Sequence, residues 1–335
     1  MSQPLRFAII GCGRMGEAHV RRLQADGRGQ VVVCVDSDRA AAVRLQATLA
    51  PHAAAFATLD EFLATVKGDE LRPHGIDAAV ICTPTPQHFD TAMALLDRGV
   101  HVLCEKPLSD SRARILALVE RHRTGPAQLA IAYQRRSLGI YRTLRREIQS
   151  GAWGPVRSVV SHNVENWQQT IHGTWRDDPR INWGGFVGDA GSHKIDIVFR
   201  VTGLRPTWIF GRCDRCGSRV EIQASVSARL EGDVPLTMDF VGNAQYFGED
   251  LSIHCAEADW TVRHGELHVA RKGRLERVTD LMPDSEPVTD FLNLLLEGAE
   301  PIAPPECALP VFDFTEALLV SSQSGLPVPI PVRGS

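Results

Sequence analysis

The sequence predicts two domains: a doubly wound parallel α/β sheet, then an open, mostly antiparallel β-sheet with helices on one face. Up to about residue 130, short apolar runs alternate with helical segments, as in parallel strands joined by helical crossovers. Beyond residue 150, long segments alternate between polar and apolar residues with Gly and Asp at the turns, which favours antiparallel strands. Because 335 residues exceed one ordinary core, we expect domains over 1–125 and 126–335.

The composition is that of a soluble globular protein. Hydrophobic residues make up 44% and charged residues 23%, and a formal net charge of −4 provides no basic field for nucleic acid. No apolar run is long enough to span a membrane, and the first residues lack a signal-peptide pattern, so we expect a cytoplasmic protein. Eight cysteines in 335 residues do not form a disulfide framework.

A glycine-rich turn joins the first predicted strand to the first predicted helix. Residues 5–10 form an apolar run with a single charge near its start, as a strand buried on both faces requires. They lead into Gly11-x-Gly13-x-x-Gly16. The first glycine allows a tight turn, the second lets a pyrophosphate approach the backbone, and the third lets the helix pack against the strand. The helix predicted over 14–26 would aim its N–H groups at the phosphates.

An acidic residue follows the second predicted strand, 20 residues after the last glycine of the turn. Strand 31–35 leads into Asp36, at the spacing at which a carboxylate meets the ribose hydroxyls of adenosine. This order of elements predicts a dinucleotide site, with a structural glycine turn as the alternative. Asp36 would repel the 2′-phosphate of NADP, although Arg39 could partly offset this, so NAD is the predicted cofactor. The predicted contacts in this segment are Gly11, Cys12, Gly13, Arg14, Met15, Gly16, Asp36, Ser37 and Arg39.

Strands and helices continue to alternate through the first domain. Strands are predicted over 53–56, 78–82, 100–104 and 129–133, and helices over 38–49, 59–66, 89–98 and 109–123, with a polar loop over 67–75. Ligands of such sheets bind at the carboxyl ends of the strands. The predicted cofactor contacts at these ends are Thr83, Pro84, Pro86, His88, Glu105 and Lys106.

The second domain is predicted to be a sheet with few helices. Its strands are predicted over 156–166, 206–211, 219–230, 235–241, 251–255, 260–263 and 267–270, and its helices over 141–150, 192–202, 288–297 and 312–324. We therefore expect an open sheet with two closing helices near 288–324.

Three residues are candidates for catalysis. Lys106 follows a buried strand and precedes a proline, so its ammonium could stabilise a developing alkoxide, or it could simply pair with Glu105 or a phosphate. Asp189 and His193 are four residues apart, which on a helical turn would place both on one face. Histidine can take a hydroxyl proton near neutral pH, and a carboxylate can orient it. A capping Asp beside a core His is the alternative, and no third ligand supports a metal site.

Several motifs together fit one family template. They are Gly11-x-Gly13-x-x-Gly16, Glu105-Lys106-Pro107, Trp175-Arg176-x-Asp178-Pro179, Gly184-Gly185-x-x-x-Asp189-x-Gly191-x-His193-x-x-Asp196, and the segment Glu316-Ala317-x4-Ser322-x-Ser324-Gly325. With these motifs, the sequence resembles the glucose–fructose oxidoreductase/inositol dehydrogenase (Gfo/Idh/MocA) family over essentially its whole length.

The resemblance implies a Rossmann domain, a sheet domain that mediates dimers or tetramers, and a catalytic set formed by Lys106, Asp189 and His193. It implies that the histidine takes the hydroxyl proton, the lysine stabilises the oxygen, and the aspartate holds substrate and histidine. It also implies a cis Lys106–Pro107 bond. Further cofactor contacts by resemblance are Gln134, Trp175 and Arg176. The predicted substrate contacts are Lys106, Arg135, Asn163, His172, Trp183, Asp189 and His193, with a polar loop over the cleft as the alternative for His172.

Two positions depart from the family pattern. Trp183 replaces a usual glycine and could stack on a sugar or narrow the site, and Gly188 replaces a larger residue. Cys213 and Cys216 form a C-x-x-C without a second pair, so we expect a turn with two thiols rather than a zinc site.

The sequence therefore predicts an NAD-dependent dehydrogenase that oxidises a secondary alcohol of a polyol or sugar-like substrate. A family member that cleaves glycosides with recycled NAD, and a dinucleotide-sensing protein without turnover, remain as alternatives. The expected partners are a small-molecule substrate and a second copy of the chain, as a homodimer or homotetramer formed through the second sheet. No nucleic acid, membrane or metal partner is expected.

Overall fold

The computed structural model describes residues 3–65 and 75–331, and the chain divides into two compact units. The first unit comprises Met1–Tyr133 and Ser285–Glu306, and the second comprises Gln134–Asp284 and Cys307–Ser335. The polar loop predicted over 67–75 lies almost entirely outside the described residues, as does the end of the helix predicted over 59–66.

The first unit is a parallel sheet with helical crossovers. Its strands are β1 (Leu5–Ile10), β2 (Gly29–Val35), β3 (Ala54–Phe56), β4 (Ala78–Ile81), β5 (His101–Cys104) and β6 (Leu129–Ile131). Its helices are α1 (Arg14–Asp26), α2 (Arg39–Leu49), α3 (Leu59–Ala64), α4 (His88–Leu96), α5 (Arg112–Thr124) and α10 (Pro287–Glu297). Within the described residues the strand order is β3-β2-β1-β4-β5-β6, and every pair is parallel. The order reverses between β1 and β4, where ligands of such sheets bind.

This unit extends beyond residue 125 at one end and gains a segment from late in the chain. The strand β6 pairs with β5, so its backbone hydrogen bonds hold it in the first sheet. The helix α10 packs on α1: Val288, Phe291 and Leu292 share a buried apolar cluster with Val20 and Leu23. Burial of this apolar surface keeps 285–306 with the first unit rather than with the second sheet.

The second unit is built on a larger sheet. Its strands are β7 (Val156–Asn166), β8 (Pro206–Asp214), β9 (Gln223–Leu230), β10 (Val234–Val241), β11 (Asn243–Cys255), β12 (Asp259–Arg263), β13 (Glu266–Arg271), β14 (Arg274–Arg277) and β15 (Val328–Pro329). Its helices are α6 (Gly139–Gln149), α7 (Trp167–Ile171), α8 (Gly185–Gly188), α9 (Ser192–Thr202) and α11 (Ala308–Ser324). The strand order in the described chain is β14-β13-β12-β11-β7-β10-β9-β8-β15.

One face of this sheet is buried and the other is not. Strands β9 and β10 alternate residue by residue, so Val226 and Met238 are buried while their neighbours are not. On the opposite face, Val160 and Phe210 keep 43% and 39% exposure. All pairs are antiparallel except β7 with β10, so the predicted fold class is confirmed. The strand β14 was not predicted, because its four exposed residues lack apolar alternation.

A search of the described residues finds no helix with the length and apolar character needed to cross a membrane.

Candidate active site

The glycine turn after β1 has the geometry that each glycine was predicted to provide. Gly11 has φ +94°, and a Cβ there would lie 2.6 Å from the backbone carbon of Cys82. A Cβ on Gly16 would lie 2.1 Å from the carbonyl oxygen of Gly11, so only glycine lets α1 approach β1 this closely. Gly13 is exposed, and a Cβ on it would meet nothing within 4 Å. The turn is therefore closed towards the sheet and open at its middle glycine, as a phosphate cradle requires.

Backbone hydrogen bonds hold the Asp36 carboxylate beside this turn. One carboxylate oxygen accepts a hydrogen bond from the Cys12 N–H at 2.7 Å, and the other accepts from the Asp38 N–H at 2.8 Å. The carboxylate is thus fixed beside the glycine turn, where an adenosine ribose would lie. Arg39 is exposed and its guanidinium lies 3.6 Å from Glu61, while Ser37 is also exposed.

The turn after β4 carries a polar group that suits a ligand. The Thr83 hydroxyl is buried and has no hydrogen-bond partner among the described residues. Together with the glycine cradle and Asp36, this unsatisfied hydroxyl at the carboxyl edge fits a dinucleotide. His88 is 1% exposed, and its two ring nitrogens lie 2.8 Å and 2.9 Å from the carbonyl oxygens of Thr83 and Pro107.

The Glu105-Lys106-Pro107 motif is held at the end of β5 by a buried network. His19 of α1, which is fully buried, lies with Nε2 2.9 Å from a Glu105 carboxylate oxygen. The other Glu105 oxygen accepts from the Lys106 N–H at 3.2 Å. Burial raises the pKa of the Glu105 carboxyl, but the hydrogen bond from His19 and the Lys106 charge outweigh it, so the pKa lies below its usual value. The Lys106–Pro107 bond is cis, as predicted.

In the second unit, Asp189 and His193 do not share one helix. Asp189 follows α8 with non-helical backbone angles, and His193 lies in the first turn of α9. The four-residue spacing therefore spans a break between the two helices, where Gly191 packs against Val187 and a Cβ on it would lie 2.6 Å from the Val187 carbonyl oxygen. Both residues are buried, at 5% and 6% exposure.

Arg176 is the partner that positions Asp189. Its Nε donates to an Asp189 carboxylate oxygen at 2.8 Å, and its guanidinium stacks on Trp175 at 4.2 Å from the ring centre. The Asn182 side chain donates to the Arg176 carbonyl at 2.7 Å. The Trp-Arg motif therefore supports the candidate catalytic carboxylate within the second unit. No sequence spacing indicated this ion pair.

A small pocket of the second unit is lined by His193 together with Arg135 and Asn163, three of the predicted substrate contacts. Lys194 and Glu249 also line it. Arg135 donates to Glu249 through Nε at 3.0 Å, and the Lys194 ammonium lies 2.5 Å from the same carboxylate. Burial raises the pKa of Glu249, but Lys194 and Arg135 outweigh it and leave the pKa below its usual value.

Asn163 is held in the pocket by its neighbours, whereas two other predicted substrate contacts, Trp183 and His172, do not line this pocket. Asn163 is 1% exposed and donates to the Ser161 hydroxyl and to a backbone carbonyl, both at 3.0 Å. Trp183 stacks on Phe312, with ring centres 4.7 Å apart and planes 11° from parallel. His172 is exposed. One face of the Trp183 indole therefore packs against Phe312 of α11. Position 188 is occupied by glycine because a Cβ there would lie 2.3 Å from the Trp183 carbonyl oxygen.

The cysteine pair of the second unit shows no metal-site geometry. Cys213 and Cys216 are partly buried thiols, and burial raises the pKa of Cys213 to about 11. Across residues 3–65 and 75–331, no group of three or more His, Cys, Asp or Glu side chains could hold a metal ion.

Sequence reasoning missed three functional neighbours. His19 was detectable in principle, because it is a polar residue on the buried face of α1 beside Val20 and Leu23. Glu249 and Lys194 gave no signal, since the residues that neutralise them lie far away in the chain: Arg135 and Glu249 are 114 positions apart.

Two family models match the chain. One, described as an oxidoreductase family with an NAD-binding Rossmann fold, matches residues 5–133, and the other, described as a GFO/IDH/MocA C-terminal domain, matches 141–261. Inositol 2-dehydrogenase of Renibacterium salmoninarum is 34% identical over 203 residues, which are 59% of this chain and 55% of that protein. The chain spans a little over half the length of the curated relatives it matches.

Solved structures share the fold. The WlbA dehydrogenase from Bordetella pertussis, in complex with NADH and UDP-GlcNAcA, superposes with a TM-score of 0.82 at 18% identity, covering 99% of this chain and 100% of that one. Levoglucosan dehydrogenase, in complex with NADH and levoglucosan, gives 0.84 at 18% identity over 98% and 100% of the two chains. With family models over both units, the chain belongs to the Gfo/Idh/MocA oxidoreductase family, and its first unit is an NAD-binding Rossmann fold.

Proposed function

We propose that the protein is an NAD-dependent dehydrogenase that reversibly oxidises a secondary alcohol of a polyol or sugar-like ring, with Lys106, Asp189 and His193 as its catalytic residues. The substrate class is supported by relatives and fold neighbours named for inositol and levoglucosan, which are cyclic polyhydroxy compounds. NAD is favoured over NADP because the Asp36 carboxylate is fixed beside the glycine turn.

The main support for the proposal is the position of Lys106 at the carboxyl edge of the first sheet. Gly11 follows β1 and Lys106 follows β5, and β4 lies between these parallel strands. Both residues therefore stand at the same carboxyl edge, two strand spacings or roughly 10 Å apart along the sheet. A dinucleotide whose pyrophosphate lies on the glycine turn can extend along this edge towards the lysine.

The proposed chemistry divides between the three side chains. Bound NAD supplies the hydride acceptor. His193 takes the proton of the substrate hydroxyl as the hydride leaves the same carbon, and it returns that proton in the reverse direction. The Lys106 ammonium stabilises the negative charge that develops on the oxygen. Asp189, held by Arg176, orients substrate and histidine.

The remaining site residues take supporting roles in this proposal. Those assigned to the cofactor are Gly11, Cys12, Gly13, Arg14, Met15, Gly16, Asp36, Ser37, Thr83, Pro84, Pro86, Glu105, Gln134, Trp175 and Arg176. Arg39, which was predicted as a contact, is exposed beside Glu61 and is expected to add little to the affinity for the cofactor. Those assigned to the substrate are Arg135, Asn163, His172 and Trp183. The exposed face of the second sheet, with Val160 and Phe210, is proposed to join two or four copies of the chain.

The test is a panel of inositols, aldoses and glycosides with NAD and with NADP, followed by NADH absorbance. For the substrate that turns over, we expect Lys106→Met and His193→Asn each to lower kcat by about 10²–10³-fold. Lys272→Met, on the exposed turn between β13 and β14, is the matched control and should leave kcat unchanged. Wild-type kcat in either site variant would refute the assigned roles. Release of an aglycone without net NADH would instead favour the glycoside-cleaving alternative.

A further inference from the structure

A buried histidine bridges the two turns that flank the proposed reaction site in the first unit. His88 opens α4, directly after the Thr83-Pro84 turn that ends β4. Its Nε2 lies 2.8 Å from the Thr83 carbonyl oxygen, and its Nδ1 lies 2.9 Å from the Pro107 carbonyl oxygen. The ring is 1% exposed. Both nitrogens are therefore turned to backbone oxygens of the protein.

Carbonyl oxygens only accept hydrogen bonds, so a ring nitrogen holds its carbonyl only when it carries a proton. A neutral imidazole has one N–H and can hold one of the two turns, whereas a ring with two protons holds both. Burial lowers the pKa of His88, while the Thr83 and Pro107 carbonyls and the Glu105 carboxylate oppose that shift. In either protonation state the ring is fastened to backbone, and no ring nitrogen is left for a nucleotide.

We propose that His88 is a positioning residue that fixes Lys106 by tying the Lys106-Pro107 turn to the Thr83-Pro84 turn. The inference rests on the proposed function, because Lys106 is the group on which His88 acts. It assigns His88 a role different from the direct cofactor contact expected from its position at the strand end. The contact to Pro107 is one residue from the lysine, so its loss frees the backbone that carries the ammonium.

A double-mutant cycle tests this role. In His88→Gln, the side chain has one nitrogen donor in place of two ring nitrogens, so it cannot donate to the carbonyls of both turns. We expect about a tenfold lower kcat, with the Kd of NAD within about twofold of wild type. In a Lys106→Gln background, whose residual turnover is followed at high enzyme concentration, His88→Gln should change kcat by less than about twofold. A residue that only fills the core would lower stability without this dependence on Lys106.

Hydrogen exchange of the apoprotein gives a second readout that needs no turnover. In His88→Gln, the amides of Lys106 and Leu108 should exchange faster than in wild type. His101→Gln, at the opposite end of β5, is the control and should change neither these amides nor kcat.

Three results would overturn the inference: equal losses of kcat in both Lys106 backgrounds, a weakened Kd for NAD with unchanged kcat, or unchanged exchange at Lys106 and Leu108. Failure of the proposed function is a separate result, in which Lys106→Gln alone keeps wild-type kcat. In that case the exchange experiment still reports whether His88 ties the two turns.

Discussion

A partly buried carboxylate in each unit, Asp36 in the first and Glu249 in the second, is satisfied in a different way. In the first unit, Asp36 accepts hydrogen bonds from two backbone N–H groups of adjacent strand-end turns. In the second, Glu249 is satisfied by two side-chain cations, Arg135 and Lys194. Backbone N–H donors are present in any sequence that forms the turn, so a carboxylate at a strand end can accept hydrogen bonds from them wherever the turn forms. Side-chain cations must be brought from distant segments, so the second arrangement depends on the tertiary structure as a whole.

This contrast predicts where each unit is vulnerable. The second unit should lose most from removing one member of its ion network, since the partners then remain buried and charged. The first unit should lose most from changes in backbone space at the glycine turn.

The largest expected effect is that of Glu249→Gln. This substitution leaves the buried Lys194 and the partly buried Arg135 with one carboxylate fewer, and should lower the free energy of unfolding by about 3–5 kcal/mol at neutral pH. Because the pKa of Glu249 lies below its ordinary value, its contribution is present above about pH 4.5 and is lost as pH falls through the lowered pKa. Urea unfolding of wild type and variant should therefore converge in acid.

The matched control for this prediction is Glu276→Gln. Glu276 is 58% exposed and lies 3.6 Å from Arg271, so its removal should change stability by less than about 0.5 kcal/mol. Equal losses in the two variants would contradict the difference between buried and exposed pairs.

The next effect separates two glycines of the first unit. Gly16→Ala forces a Cβ to within 2.1 Å of the Gly11 carbonyl oxygen and should cost about 1–3 kcal/mol of stability. Gly13→Ala meets nothing within 4 Å and should keep its melting temperature, yet bind NAD more weakly because the methyl group enters the phosphate space. Calorimetry measures the melting temperature of each variant, and titration measures its Kd for NAD. Equal melting temperatures would show that α1 can move away from β1.

A smaller effect is expected from Asp36→Asn. The amide has one acceptor oxygen, so it can accept from only one of the Cys12 and Asp38 N–H groups, and it carries no charge towards the ribose hydroxyls. The Kd of NAD should therefore rise about tenfold. Discrimination against NADP should weaken in the same titration, because the charge that repels its phosphate is removed. An unchanged ratio of the two Kd values would place the origin of NAD preference elsewhere.

The smallest effect is expected from Arg39→Ala. Its side chain is 64% exposed and only 3.6 Å from Glu61, so both stability and the Kd of NAD should stay within about 0.5 kcal/mol of wild type. A marked loss of NAD binding would mean that Arg39 reaches the cofactor despite its exposed position.

The first sheet was predictable because its signals are local. Apolar runs such as 5–10 predict strands, Gly11 predicts a turn, and Asp36 directly follows its strand. A few neighbouring residues therefore determine each feature. The second sheet was predictable from alternation, except for two strands. The charged residues of β14 pair with β13 without a buried face, and β15 has only two residues.

By itself, the sequence determined the order of elements, the phosphate turn and the residue types of the candidate site, because each depends on spacing within one segment. Only the tertiary structure decided that α10 belongs with the first sheet, that Arg176 holds Asp189, and that His88 joins two turns. Those contacts form between segments distant in the chain or separated by a turn, and they depend on how packed elements approach one another in space. No local pattern encodes that approach.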